Sequence, residues 1–154
     1  VIGISNFDAN DEVFNEIMEK STIKPAVLQI ECHPYAQRTE MRKKAAKYGI
    51  QVECWYPLGG AQSQGLLLRD SVIKKIAENH SKSPAQIILR WHIQEGFSVI
   101  PGATKPDYIK ENIQIFDFAL SNDEMQQIRS LNKEQRIFNA TLDDVKRMVW
   151  GTKL

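Results

Sequence analysis

Apolar and polar positions along the chain follow two rhythms, short apolar runs and stretches of helical periodicity. Val1, Ile2 and Ile4, with compact Gly3 between them, form a run that halts at Ser5 and Asn6, the pattern of a strand covered on both faces. The stretch that follows puts Val13, Phe14 and Ile17 on one helical face, with Asp8 or Asn10 placed to cap it. The event then repeats. A turn at Lys24-Pro25 leads into a strand from Ala26 to Cys32, broken at Pro34, and a helix runs from a Thr39 cap to a Gly49 stop. A third strand covers residues 50–56 and ends at Pro57, before a glycine-rich loop over residues 59–65. Two helices follow over 69–81 and 83–96, the second with Ser83 as cap and Pro84 at its first position. A fourth strand ends at Pro101-Gly102, a short helix covers 105–113, and a capped amphipathic helix covers 120–131. The tail from Asn132 onward is mixed.

Strand-then-helix units in series imply parallel strands with right-handed crossovers. Their endings, Ser5-Asn6, His33-Pro34, Trp55-Tyr56-Pro57 and Pro101-Gly102, would line one rim, where parallel α/β folds collect ligand groups. A doubly wound sheet calls for a glycine-rich phosphate turn after its first strand, and residues 5–10 contain no glycine. Barrel strands are the better match.

The 154 residues suit a single domain, and 42% hydrophobic with 25% charged side chains is ordinary globular composition. The 20 basic and 19 acidic groups nearly cancel, which removes the footprint of a nucleic-acid or anionic-membrane binder and leaves small molecules or proteins as partners. Neither of the two cysteines, Cys32 and Cys54, sits in a CxxC pair, so the expectation is a reduced, cytoplasmic protein with no metal site. The sequence shows no leader pattern and no apolar run long enough to span a membrane.

The stretches GISNF, LQIECHPY, WYPLG, SPAQIILRW and IPGATKPDYIKENIQIFDFALS, in this order, resemble the second half of an aldo-keto reductase. That resemblance implies a (β/α)8 barrel of about 250 residues or more, of which residues 1–154 would form one partial domain, strands five to eight with the C-terminal helix and tail. It further implies reduction of aldehydes and ketones with NADP, NAD also being accepted. The expected acid, a tyrosine supported by lysine, aspartate and histidine, belongs to the family's first half. No catalytic residue is therefore assigned here, and this chain alone is expected to lack turnover. Ser5, Asn6 and Gln29 match positions that bond the nicotinamide carboxamide, a group needing both donors and acceptors. Trp55 matches the aromatic that stacks on the nicotinamide, and Leu58 and Gly59 begin the segment over the pyrophosphate. Thr104 and Lys105 stand beside the expected 2'-phosphate, and Glu111 and Asn112 match adenine contacts. Gly102, Ala103 and Tyr108 replace the family's frequent lysine, serine and arginine, which argues against strict selection of NADP.

Other groups read as structural. His33 is expected to lock the strand end before Pro34, His80 to sit near a helix end, and His92 to pack. The two cysteines are expected close together as buried thiols. Trp150 and Phe138 match only in location the family's variable substrate loop. A non-catalytic reading remains beside the enzyme: a half-barrel that binds nucleotide or self-associates through unpaired strand edges.

Overall fold

The computed structural model describes residues 1–7 and 11–138. Four parallel strands, β1 (Gly3–Ser5), β2 (Val27–Glu31), β3 (Gln51–Trp55) and β4 (Ser98–Val99), pair in chain order. Between and after them lie α1 (Asp11–Lys20), α2 (Thr39–Lys47), α3 (Ser71–His80), α4 (Pro84–Gln94), α5 (Pro106–Ile113) and α6 (Asn122–Arg129). A parallel neighbour can be reached only by a crossover, and helices supply it here. The register aligns Ser5 with Gln29, Gln29 with Glu53, and Glu53 with Ser98.

The period of two along each strand sorts side chains between two faces. Leu28, Ile30, Val52 and Cys54 point into a core that also holds Phe14 and Met18 of α1, Ile73 and Ile76 of α3, Trp91 of α4 and Ile128 of α6. The alternate positions carry Gln29, Glu53 and Trp55 to the other face. Three of the helices are started by local chemistry. Ser83 and Ser121 each head a capping box, closed by Gln86 and Glu124. Asp70 accepts from the N–H groups of Val72 and Ile73 at the start of α3 and also takes the Tyr35 O–H at 2.6 Å. Burial first, then that bond to Asp70, raises the Tyr35 pKa to about 12.

Two expectations change. Thr39 is the first helical residue of α2 rather than its cap; Arg38 holds the cap position in left-handed backbone, φ 53°, without a side-chain cap bond. β1 is not covered on both faces: Gly3 and Ser5 are exposed, as are Val1 and Ile2 just before it, and only Ile4 packs, half-buried, against the core. His80 ends α3, as expected, and its bond to Glu124 at 2.9 Å ties α3 to α6. The caps expected at Asp8 and Asn10, and the role of Trp150, lie outside the described residues. No helix among the described residues is long and apolar enough to cross a membrane.

Asp70 serves two partners, so Asp70→Ala is expected to cost about 2 kcal/mol, the sum of a lost cap and an unsatisfied hydroxyl. Urea unfolding checks this. Tyr35→Phe removes the same O–H bond, so the double variant should lose less than the two single losses added; strict additivity would show that the bond is not made.

Candidate functional site

All four strands point their carboxyl ends to one rim, so chemistry placed there converges. Just below the rim, the aligned Ser5, Gln29, Glu53 and Ser98 form a polar row across the sheet. Gln29 Nε2 donates to Glu53 Oε1 at 2.8 Å, and Ser98 Oγ donates to Glu53 Oε2 at 3.2 Å. Ser5 Oγ stands 3.5 Å from Gln29 Oε1, the outer limit of a hydrogen bond. Glu53 is therefore the acceptor that satisfies Gln29. Sequence reading missed it, although its alternate position in a strand beside Gln29 was a usable signal.

At the rim itself, Asn6 and Trp55 meet across β2. Asn6 has left-handed backbone, φ 62°, and its N–H donates to the Gln29 carbonyl at 2.9 Å. Its side-chain Oδ1 accepts from the Trp55 indole N–H, also at 2.9 Å. The indole is flanked edge-to-face by Tyr56 at 4.7 Å and by Phe138 at 5.3 Å between ring centroids. Such contacts add about 0.5–1.5 kcal/mol each beyond burial. Beyond Trp55 the chain turns through Gly59 and Gly60, both at positive φ; a Cβ on Gly60 would fall 2.3 Å from the Tyr56 ring. A cleft of about 500 Å³ opens here, lined by Trp55, Tyr56, Leu58, Gly60, Pro101 and Gly102 among others.

The aromatic wall depends on a carboxylate. Glu31, fully buried at the end of β2, accepts from Ile137 N–H at 2.6 Å, Phe138 N–H at 3.2 Å and Arg136 Nε at 3.1 Å. His33 Nε2 lies 3.2 Å away. Burial alone would raise the Glu31 pKa, but the bonds from His33, Ile137, Phe138 and Arg136 outweigh it and hold the group at about 2. The same strap is fixed again upstream, where Lys133 and Gln135 N–H groups both donate to the Tyr35 carbonyl. His33 thus has the structural place expected of it: it is buried, and its Nδ1 accepts from Tyr35 N–H.

The remaining predicted residues lie further along. Lys105 precedes α5, with its ammonium 5.4 Å from the centre of the Tyr108 ring, and Thr104 is exposed beside it. Glu111 and Asn112 are half-buried near the end of α5. Asn112 lines a second crevice of about 420 Å³, which shares Pro101 with the first. Trp55 and Leu58 thus line the rim cleft, Asn6 does not line it but is tied to it through Trp55, Ser5 and Gln29 lie in the polar row across the sheet, and Thr104, Lys105, Glu111 and Asn112 lie in the adjoining α5 segment. Gly59 shapes the loop above the cleft.

The model of the Aldo/keto reductase family matches residues 1–133. A protein from Mycolicibacterium smegmatis named as an aldo-keto reductase is 46% identical over 136 residues, covering 88% of this chain and 47% of its own. The crystal structure of MGS-M4, an aldo-keto reductase from a Medee basin deep-sea metagenome library, superposes with TM-score 0.84 at 36% identity, covering 90% of this chain and 50% of its own. A point mutant of Gox0644, solved in complex with NADPH, superposes with TM-score 0.80 at 39% identity, covering 94% of this chain and 50% of its own. The chain spans about half the length of these relatives.

Replacing Glu31 tests the strap. Glu31→Gln keeps one acceptor but turns the other end into a donor facing donors, an expected loss of about 1–3 kcal/mol at neutral pH. Because the folded pKa is depressed, the carboxylate's contribution is present above its ordinary 4.5 and disappears as pH falls toward about 2. The stability gap between the native protein and Glu31→Gln, from urea unfolding at several pH values, should shrink through that window. A gap constant with pH would mean that the charge is not what holds the strap.

Proposed function

The chain belongs to the aldo/keto reductase family, and from that premise we propose that its rim cleft takes the nicotinamide end of NADP(H), with NAD(H) also accepted, in the reduction of small aldehydes and ketones. The observation that carries this reading is the hydrogen bond between Asn6 and Trp55, which holds an indole against a cleft of about 500 Å³, on the sheet face that also carries the row of hydroxyl and amide groups. An aromatic surface beside mixed donors and acceptors is the chemistry a nicotinamide carboxamide requires.

In this reading each residue has a task. Ser5 offers a hydroxyl, Gln29 an amide oxygen, and Asn6 its Nδ2 donors, since its Oδ1 is committed to Trp55. Trp55 packs on the nicotinamide and so selects which ring face points toward the substrate. Leu58 and Gly59 pass over the pyrophosphate, where left-handed backbone at Gly59, φ 83°, turns the loop back over the cleft. Thr104 and Lys105 receive the phosphate of the adenosine half, and Glu111 and Asn112 receive adenine. When bound, the dinucleotide supplies the hydride; the protein supplies placement and polarity. The proton for the carbonyl oxygen comes, in this proposal, from elements outside residues 1–154. Those residues would form the C-terminal half of the barrel and lack turnover by themselves.

A second reading has its own observation. Both outer strands pair on one side only among the described residues, and apolar side chains are exposed near them, Ile2 and Phe7 beside β1, Ile100 and Phe116 beside β4. Self-association through these edges would bury them. A monomeric mass in solution at micromolar concentration would remove that reading.

Titration of the purified protein with NADPH and NADH, followed by tryptophan fluorescence, tests the main proposal. Saturable quenching by NADPH is expected, lost in Trp55→Ala. Lys105→Ala should weaken NADPH about tenfold, the worth of one charge-assisted bond to phosphate, while changing NADH less. A folded protein that binds neither nucleotide, or binding indifferent to Trp55, would overturn the assignment of the cleft.

A further inference from the structure

On the helix-facing side of the sheet, away from the rim cleft, three soft ligands meet that the nucleotide site does not use. Cys32 follows β2, Cys54 lies on β3 and His92 on α4; each is 0% exposed. One ligand atom from each lies within 4.8 Å of the other two. Two thiolates on a single zinc ion stand at most about 4.6 Å apart, since each Zn–S bond is about 2.3 Å. The atoms therefore need draw in by only about 1 Å to share a centre. Both cysteines are free thiols. They are poorly placed to form a disulfide, because Cys54 pairs with Ile30 and Cys32 lies two residues further along its strand. Such diagonal positions are about 7–8 Å apart at Cα, beyond the usual reach of a disulfide.

The imidazole supplies the independent sign. His92 Nδ1 lies 2.8 Å from the Ile88 carbonyl, and Nε2 lies 3.1 Å from the Cys32 carbonyl. A neutral ring carries one N–H, so only one of these contacts can be a donor facing an acceptor. With the shorter contact made by Nδ1–H, Nε2 presents a lone pair to the Cys32 carbonyl oxygen in a dry core; a cation about 2 Å from Nε2 removes that repulsion with the carbonyl turned aside or drawn in as a fourth ligand. A ring N–H held by a backbone carbonyl is also how metal-bound histidines are oriented.

We propose that Cys32, Cys54 and His92 form a buried site for a soft d10 cation, Zn²⁺ or Cu(I), with His92 ligating through Nε2 while Nδ1–H stays on the Ile88 carbonyl. Thiolate and imidazole ligands select this class of ion over hard cations. Two thiolates balance the charge of Zn²⁺, and three ligands complete a trigonal Cu(I) site. Binding releases the two thiol protons to solvent. Because all three ligands are sealed in the core, the ion enters as the chain folds. The ligands come from three elements, which is why no spacing motif announces them and why sequence reading expected no metal.

The full chain is unfolded and refolded anaerobically under reductant with Zn²⁺ or with Cu(I), freed of excess metal, and assayed for bound metal and for ligand type by X-ray absorption. One ion per chain with two sulfur neighbours and a nitrogen is expected, the arm that retains metal identifying the cation. Cys54→Ala and His92→Gln, each checked for folding by circular dichroism, should each lose metal retention about tenfold or more. A folded wild-type protein that keeps neither ion, a shell without sulfur, or retention unchanged in folded Cys54→Ala would overturn the site. If both variants fail to fold, the wild-type ligand shell decides alone.

Discussion

A carboxylate sealed from water must be given donors, and most of the rim's order can be traced to how that demand is met at Glu31. Desolvating a lone carboxylate is too costly to tolerate, so the end of β2 can bury Glu31 only while something delivers N–H groups to it. The strap after α6 does so with two backbone N–H groups and a guanidinium. Meeting the charge therefore fixes the path of the strap, and the path of the strap sets Phe138 against Trp55. From Trp55 the constraint passes to Asn6 and so to β1. One ionised group thus couples the C-terminal strap to three of the four strands, through contacts each worth only about 1 kcal/mol or somewhat more.

The two faces of the sheet divide the remaining work. Because side chains alternate, the residues that seal the core and those that form the polar row are neighbours along the same strands: Leu28 beside Gln29, Val52 beside Glu53. A register slip of one residue would bury Gln29 and Glu53 among the helices and expose Leu28 and Val52, so the apolar packing enforces the alignment of the row. The row in turn is closed internally: Gln29 and Ser98 satisfy Glu53 before any ligand arrives.

Much of this was legible in the sequence, and the division has a physical basis. Ser83 with Pro84 announces its helix because a cap is local: the groups that satisfy it lie within three residues. The parallel strands were legible because apolar runs and turn residues are also local signals. Thr39 misled because Arg38, a residue with little preference for left-handed backbone, takes the cap position instead, and tertiary context overrides propensity there. β1 misled because an apolar run states that a strand can be covered, not that both its faces are. Glu31 and Glu53 were invisible as hubs for another reason. Their partners stand 105 and 45 residues away along the chain, and no periodicity connects them.

The rim also carries strain, and its placement bears on how the cleft works. Asn6 and Tyr56 both hold left-handed backbone, φ 62° and 54°, directly on either side of the Asn6–Trp55 bond. Asparagine tolerates that region; a tyrosine there costs about 1–2 kcal/mol. Strain of this kind persists only where the surroundings over-determine it. Tyr56 is so determined: its carbonyl accepts from Gly59 N–H, and its ring occupies the space that any side chain at Gly60 would take. Gly60 is therefore required by the tyrosine as much as by the turn, whereas a Cβ on Gly59 would meet Ser63 and Ile137 instead. The cleft's aromatic wall is thus held by contacts among the described residues, so a molecule entering it would not have to order those side chains.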